Sequence, residues 1–401
     1  MIVIKNSIIL SLANVEGLVL RLQPVHIQGA PTVNERYRFF SFLISSIILF
    51  AGICRSQTGL DHLLLKNYRP VSIYKIPYTV IKKARYPVLD MHSHPFYISS
   101  EKELDHWVKL MDSVGIRKTV ILTMDWGEKF DSLAHFFSKY RDRFILYCGF
   151  DYTGYDKPGY DPTAVKELEK CYKEGSRGVG ELGDKGKGLY FCYPPAYGMH
   201  IADPRLDPLL DECAKLKMPI SIHLGEPQWF YEPMDSTNDG VMNAYNWRLD
   251  NQKEILTLDQ ELNHFARAVA RHPMTIFITC HLANQVTDLA KLAKLFDKYP
   301  NLYADLGARY GEIASIPGYA KAFFEKYQDR IVYGTDNSPT LAMYQSTFTI
   351  LETRDEQFYN FDFGYHWPLY GLRLSNASLK RIFWDNAEKV LKMQDQEGQH
   401  K

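Results

Sequence analysis

Two histidines one residue apart, His92 and His94, follow the apolar run Pro87-Val88-Leu89-Asp90-Met91, and Pro95 stops it. In an extended backbone alternate side chains share a face. Both imidazoles can therefore reach one point, as chelation of a metal ion requires. Such a pair also occurs as a polar strand end with two surface histidines, so other residues have to decide. They recur in the same setting. Later apolar runs end in Thr123-Met124-Asp125-Trp126, Phe150-Asp151, Glu181, His223, His281, Asp305 and Asp336. Of the 13 histidines, four fall at three such ends, which favours a metal site over a structural coincidence.

Imidazoles and carboxylates without thiolates suit zinc first, with manganese and iron also fitting, rather than a structural thiolate site. A divalent ion of this kind lowers the pKa of bound water to about 7 from about 15.7. Asp336 is the candidate ligand and general base. His281 can ligate a second ion or act as an acid that polarises a carbonyl. Glu181 can be a ligand, a bridge between two ions, or a cap on the Gly183-Asp184-Lys185 turn.

These residues need a scaffold that gathers strand ends. Eight β-branched or apolar runs are present: Val88–Met91, Thr119–Thr123, Phe144–Phe150, Arg177–Glu181, Pro219–Ile222, Thr275–Thr279, Leu302–Asp305 and Arg330–Gly334. Amphipathic stretches alternate with them, at Glu101–Val114, Ser132–Tyr140, Pro162–Glu174, Pro208–Lys217, Leu258–Arg271, Val286–Lys298 and Tyr319–Tyr327. Glycine stops recur, as in Val114-Gly115-Ile116-Arg117 and Glu174-Gly175-Ser176-Arg177. Eight parallel βα units predict a (β/α)8 TIM barrel, whose active site lies at the C-terminal ends of the strands. A doubly wound sheet is the alternative, but it does not require eight similar units.

Lysine plus arginine and aspartate plus glutamate balance at 47 each, and the aromatics do not interleave with basic clusters. Nucleic acid is therefore a poor partner, and a small molecule the better one. The cysteines, 54, 148, 171, 192, 213 and 280, show no C-x-x-C spacing and read as buried apolar thiols. Residues 1–56 read as an extension with a secretory signal peptide. Its apolar run is Phe39–Ile53, after Arg36 and Arg38 and before a cut after Ser56. That run is short for a membrane span, so no integral membrane domain is expected. The expected location is periplasmic or secreted. Lipid anchoring through Cys54 ranks second, because Ile53 stands where a small residue is needed, and a true start near Val33 is a further expectation. Residues 57–86 read as an irregular arm broken by prolines, and residues 87–395 as the barrel. A homodimer is compatible with the sequence.

The chain resembles the amidohydrolase superfamily, in the amidohydrolase-related branch that also holds metal-dependent decarboxylases. The resemblance runs from about Pro87 to Met393. It rests on Asp90-Met91-His92-Ser93-His94, Met111-Asp112-Ser113-Val114-Gly115-Ile116, Gly178-Val179-Gly180-Glu181, Ile222-His223 and Cys280-His281-Leu282. Later matches are Asp297 through Asp305, Arg330-Ile331-Val332-Tyr333-Gly334-Thr335-Asp336, and a closing helix over Leu379 to Glu388. It implies metal ligation by His92, His94, His223 and Asp336, and an acid or electrophilic role for His281 in the mononuclear branch. Many hydrolytic members hold two metals with a carboxylated lysine on strand four, where this chain has Glu181.

On the substrate side, the long loop after strand five carries Trp229, Phe230, Tyr231, Trp247 and Arg248, and the segment after strand eight carries Arg354, Tyr365, His366 and Trp367. These loops are lid candidates. Arg309 is a candidate carboxylate anchor or an ion pair to Asp305, and Trp126 and Trp229 are candidate substrate contacts. The leading expectation is a metal-dependent hydrolase of an ester, lactone or amide. A non-oxidative decarboxylase of the same family is the alternative. A non-catalytic ligand-binding member is a third, against which the full ligand set argues.

Overall fold

Strand β2, Ile116–Leu122, is buried from Thr119 to its end, as a parallel strand covered on both faces must be. The computed structural model describes residues 62–191 and 193–392. Seven further strands run parallel to β2: β1 (Val88–Ser93), β3 (Phe144–Tyr147), β4 (Val179–Asp184), β5 (Ile220–Leu224), β6 (Phe277–Thr279), β7 (Leu302–Asp305) and β8 (Ile331–Val332). Regular pairing joins β1 to β3 in one sheet and β4 to β8 in another. Backbone hydrogen bonds close both seams. Cys148 bridges Val179 in parallel, and Gly180 N–H donates to Cys148 O (2.8 Å). Met91 N–H donates to Tyr333 O (2.9 Å) and Asp336 N–H to His92 O (2.8 Å). The eight strands thus form a closed (β/α)8 barrel.

The helices follow from the sequence in the expected places: α1 (Glu101–Val114), α2 (Gly127–Phe137), α3 (Tyr160–Lys173), α4 (Asp207–Lys215), α5 (Leu258–Arg271), α6 (Leu289–Lys298) and α7 (Pro317–Lys326). In α1, Leu104, Trp107, Val108, Met111 and Val114 are buried at helical spacing. Ser100 caps its start, and Gly115, at φ 93°, ends it in the left-handed region. Thr257 and Gln260 form a capping box on α5. The longest helix without an expectation is α8 (Leu341–Glu352): it is buried on nearly every side, so no polar stripe marks it.

Leu89, Val120, Tyr147, Ile278, Tyr303 and Val332, from six strands, pack into one cluster with Ala387 and Val390 of α9 (Asn386–Lys392). That cluster fills the barrel interior, closed at one end by the C-terminal helix. Residues 68–87 contain no helix or strand, and Thr79 Oγ1 donates to Asp355 Oδ1 (2.8 Å) beyond α8. Cys148, Cys171, Cys213 and Cys280 are free and buried. Cys54, Cys192 and the signal-peptide run lie outside the described residues. Among the described residues no helix is long and apolar enough to cross a membrane.

Candidate metal centre

Four histidines stand at the C-terminal mouth of the barrel, each tied down by one ring nitrogen. His92 Nδ1 donates to Asp305 Oδ2 (2.9 Å), His94 Nδ1 to Leu122 O (2.9 Å), His281 Nδ1 to Gly307 O (2.7 Å) and His223 Nε2 to Gly225 O (2.8 Å). A carbonyl only accepts, so the proton on the bonded nitrogen of the last three is assigned, and the second nitrogen of each ring is the one left to face an ion. Fixing one nitrogen this way orients a ligating histidine.

The four remaining nitrogens converge on two carboxylates. His94 Nε2 lies 3.2 Å from Asp336 Oδ1 and 3.4 Å from Glu181 Oε2. His92 Nε2 lies 3.6 Å from Asp336 and 3.7 Å from Glu181. His223 Nδ1 and His281 Nε2 each lie 3.1 Å from Glu181 Oε1. Ligands about 2.1 Å from a tetrahedral zinc ion sit about 3.4 Å apart, so these spacings suit an ion at the centre. His92 Nε2 is buried and has no hydrogen-bond partner among the described residues, which a ligand bond would satisfy. The donor set therefore fits a divalent ion, and two overlapping sets, His92–His94–Asp336 and His92–Glu181–His281, share His92.

The electrostatics agree. Burial works to raise Glu181, but the charge of His92 and hydrogen bonds from His223 and His281 hold it well below the usual carboxylate range. Burial likewise opposes the fall of Asp336, which His92 and His94 drive. Burial would lower His94, yet contacts to Asp336 and Glu181 push it up to about 9. His281 moves the other way, lowered by burial and by the charge of His223.

The backbone that delivers these groups is strained. His281, Leu282, Ala283 and Asn284 lie at φ 54–60°, and Asp336 at φ 48°. Left-handed backbone costs about 1–2 kcal/mol per ordinary residue. The surroundings over-determine it. Asp305 Oδ1 accepts from His281 N–H (3.0 Å), while Asn284 Nδ2 donates to Leu224 O (3.0 Å) and its Oδ1 accepts from Arg309 Nε (2.8 Å).

The structure brings His92, His94, Glu181, His223, His281 and Asp336 together. Arg309 is buried against Glu312 (3.0 Å) and Asn284, with Glu226 at 3.9 Å, and its partner is not Asp305. Trp126 is half-buried, its Nε1 donating to Tyr193 O (3.1 Å). Trp229 packs on Tyr365 and Trp367, whose rings stack 4.0 Å apart, so the two long loops meet. Asp305, expected as a strand end, orients His92, and two further contributors lie outside the sequence reading. Glu226, three residues after His223, lies 3.6 Å from its Nε2 and 2.5 Å from Lys185. Tyr97 reaches Asp336 Oδ1 from a short turn after His94 (3.5 Å). A separate cleft of about 760 Å³, lined by Tyr86, Arg117, Arg143 and Lys380 among others, opens at the N-terminal ends of the strands, away from these groups.

Residues 90–393 match the family model described as Amidohydrolase. No curated protein sequence matches the chain. Solved structures similar to it include an uncharacterised TIM-barrel protein from Bordetella bronchiseptica, 16% identical, with a TM-score of 0.50, covering 77% of this chain and 99% of that one. That likeness shows the fold. Others are a dihydroxybenzoic acid decarboxylase from Polaromonas sp. JS666 with bound manganese and 2-nitroresorcinol (17% identical, TM-score 0.49, 77% of this chain and 97% of that one) and a 2,6-dihydroxybenzoate decarboxylase from Rhizobium (18%, 0.47, 77% and 99%).

Proposed function

The chain belongs to the amidohydrolase family, and from that premise we propose that it is a metal-dependent hydrolase acting on a C–O or C–N bond of a small molecule, such as an ester, lactone or amide. His92, His94, Glu181, His223 and Asp336 would hold a divalent ion, zinc in the first instance. Because the two ligand sets share His92, we assign one ion rather than two. When bound, the ion supplies Lewis acidity that makes water nucleophilic near neutral pH and polarises a substrate oxygen.

The observation that carries the reading is the contact between Asp336 and His281. Asp336 is the most exposed carboxylate of the cluster, and its Oδ2 lies 3.9 Å from His281 Nε2. Asp336 accepts a proton from the attacking water, and His281 Nε2 relays it to the leaving oxygen or nitrogen. Glu226, facing His223, keeps that ring in place. The meeting of Trp229 with Tyr365 and Trp367 supports a lid that limits water around a bound substrate.

A carbon–carbon lyase would use the same ion to polarise a substrate but needs a free cation to hold a carboxylate. Arg309 is engaged by Glu312 and Asn284, which favours hydrolysis. Elemental analysis of wild type and His92→Ala is the first test: wild type purified without chelator and lacking metal would break the reading. Turnover of a panel of esters, lactones, amides and aromatic carboxylates is the second. Carbon dioxide release without any hydrolysis would replace the hydrolase with the decarboxylase. We also propose export, on the Phe39–Ile53 run, which N-terminal sequencing of the mature protein tests.

A further inference from the structure

A second group of ligand-type side chains sits at the rim of the barrel, apart from the centre described above. Asp184 ends β4, three residues after Glu181; an odd offset in a strand turns the two side chains to different faces. Asp184 is fully buried. Its Oδ1 accepts from the backbone N–H groups of Gly186 and Gly188 (both 3.1 Å), and its Oδ2 lies 2.7 Å from His200 Nδ1. Glu261, in the first turns of α5, is also fully buried, with Oε1 3.6 Å from the same His200 nitrogen. One ligand atom from each of Asp184, His200 and Glu261 lies within 4.8 Å of the others.

Two features of this group are not explained by packing. Both oxygens of Glu261 are buried without a hydrogen-bond partner among the described residues. A buried carboxylate in that state is costly. Glu261 is also held protonated: burial and the neighbouring Asp184 carboxylate push it up to about 10, and among the described residues no lysine or arginine pairs with either group. A divalent cation would displace that proton and give both oxygens a partner. Two carboxylate oxygens and an imidazole are the donors of a borderline-to-hard divalent cation.

We infer that Asp184, His200 and Glu261 form a second divalent-metal site, structural in role, which pins the segment between β4 and α4 to the start of α5. His264, one turn along α5 from Glu261 and with its ring 4.8 Å from that of His200, forms the wall of the site. The ion would fix the backbone turn that begins at Lys185, the residue that pairs with Glu226 behind His223. A structural site of this kind adds its binding energy to the folded state.

Zinc alone is the probe, with the full-length chain throughout. Wild type, Glu261→Gln, His92→Ala/His94→Ala and the triple variant are equilibrated with zinc, desalted and assayed for metal per chain, and their thermal midpoints are measured with and without zinc. Glu261→Gln is expected to remove one equivalent in either background, and zinc is expected to raise the midpoint of the double variant but not of the triple. His200→Gln gives the same readout should Glu261→Gln fail to fold. A double variant that keeps no zinc, or a zinc count unchanged by Glu261→Gln and His200→Gln, overturns the inference. Because the double variant disables the first centre, these outcomes are independent of the proposed reaction.

Discussion

Asp305 holds His92: its Oδ2 lies 2.9 Å from His92 Nδ1, while Oδ1 accepts the backbone N–H groups of His281 (3.0 Å) and Gly307 (2.9 Å). One carboxylate at the end of β7 therefore sets the ring of β1 and the turn after β6 together. It also fixes the Nδ1 proton, so that Nε2, towards Glu181 and Asp336, is the atom His92 would offer an ion.

Asp305→Asn should weaken metal binding about 10- to 100-fold, the usual effect of losing such an outer partner. The amide nitrogen would donate to Nδ1 and force the proton onto Nε2, the atom that faces the ion. Zinc titration against a competing chelator measures this. An unchanged affinity in a folded Asp305→Asn would show that His92 does not ligate through Nε2.

Gly334→Ala should act on the same ring without removing a ligand. A Cβ at Gly334 would meet His92 Cβ at 2.8 Å and Asp305 Cβ at 3.3 Å, and neither is the free end of a flexible chain. Overpacking of this kind costs about 1–3 kcal/mol. The expected outcome is lower zinc affinity together with a lower thermal midpoint. Normal affinity at a lowered midpoint would place the strain elsewhere than on His92.

Metal uptake should release protons. Without an ion, His94 stays protonated up to about 9, so at pH 7 an incoming ion must displace that proton. The raised pKa makes the charged ring a stabilising group below its ordinary value of 6.5, and that contribution is lost as pH rises through about 9. Zinc affinity should therefore climb between pH 6 and 9, about tenfold per unit for each displaced proton. Calorimetry in buffers of different ionisation enthalpy counts the protons, and a count of zero at pH 7 would contradict His94 as a ligand.

The strand ends were readable because burial on both faces makes a parallel strand a continuous apolar run, and a polar residue closing it stands out. His92, Glu181, His223, His281 and Asp336 all announced themselves that way. Helix α8 did not: Met343, Tyr344, Phe348, Ile350 and Leu351 are buried around its circumference, so periodicity carried no signal. The partners of the histidines were harder still. Three of the four rings are tied to backbone carbonyls, of Leu122, Gly225 and Gly307, and a carbonyl has no signature in sequence. Asp305 was visible as a strand end, but its pairing with His92 arises only when β7 and β1 curl to the same mouth. Arg309 was read as facing Asp305 or a substrate because chain proximity suggested it. The left-handed turn over His281–Asn284 instead brings Asn284 to its Nε, and the helical turn after it brings Glu312.

Arg309 separates a structural from a substrate-holding role. It is buried, pairs with Glu312 at 3.0 Å and donates to Asn284, and Glu312 in turn accepts from Tyr365 Oη (2.7 Å) in the segment that meets Trp229. Removing one partner of a buried pair leaves the other uncompensated and costs about 3–5 kcal/mol. Arg309→Ala should therefore destabilise the protein by that order in urea unfolding. Arg309→Ala/Glu312→Gln should recover part of the loss, because the stranded charge is gone. Contacting groups of this kind couple by about 0.5–3 kcal/mol in such a cycle. A substrate anchor would behave differently: Arg309→Ala would leave stability within about 0.5 kcal/mol, as changes outside packed networks do, and would raise KM for carboxylate-bearing substrates. That second outcome would return the decarboxylase to first place, since it alone needs a cation at the substrate carboxylate.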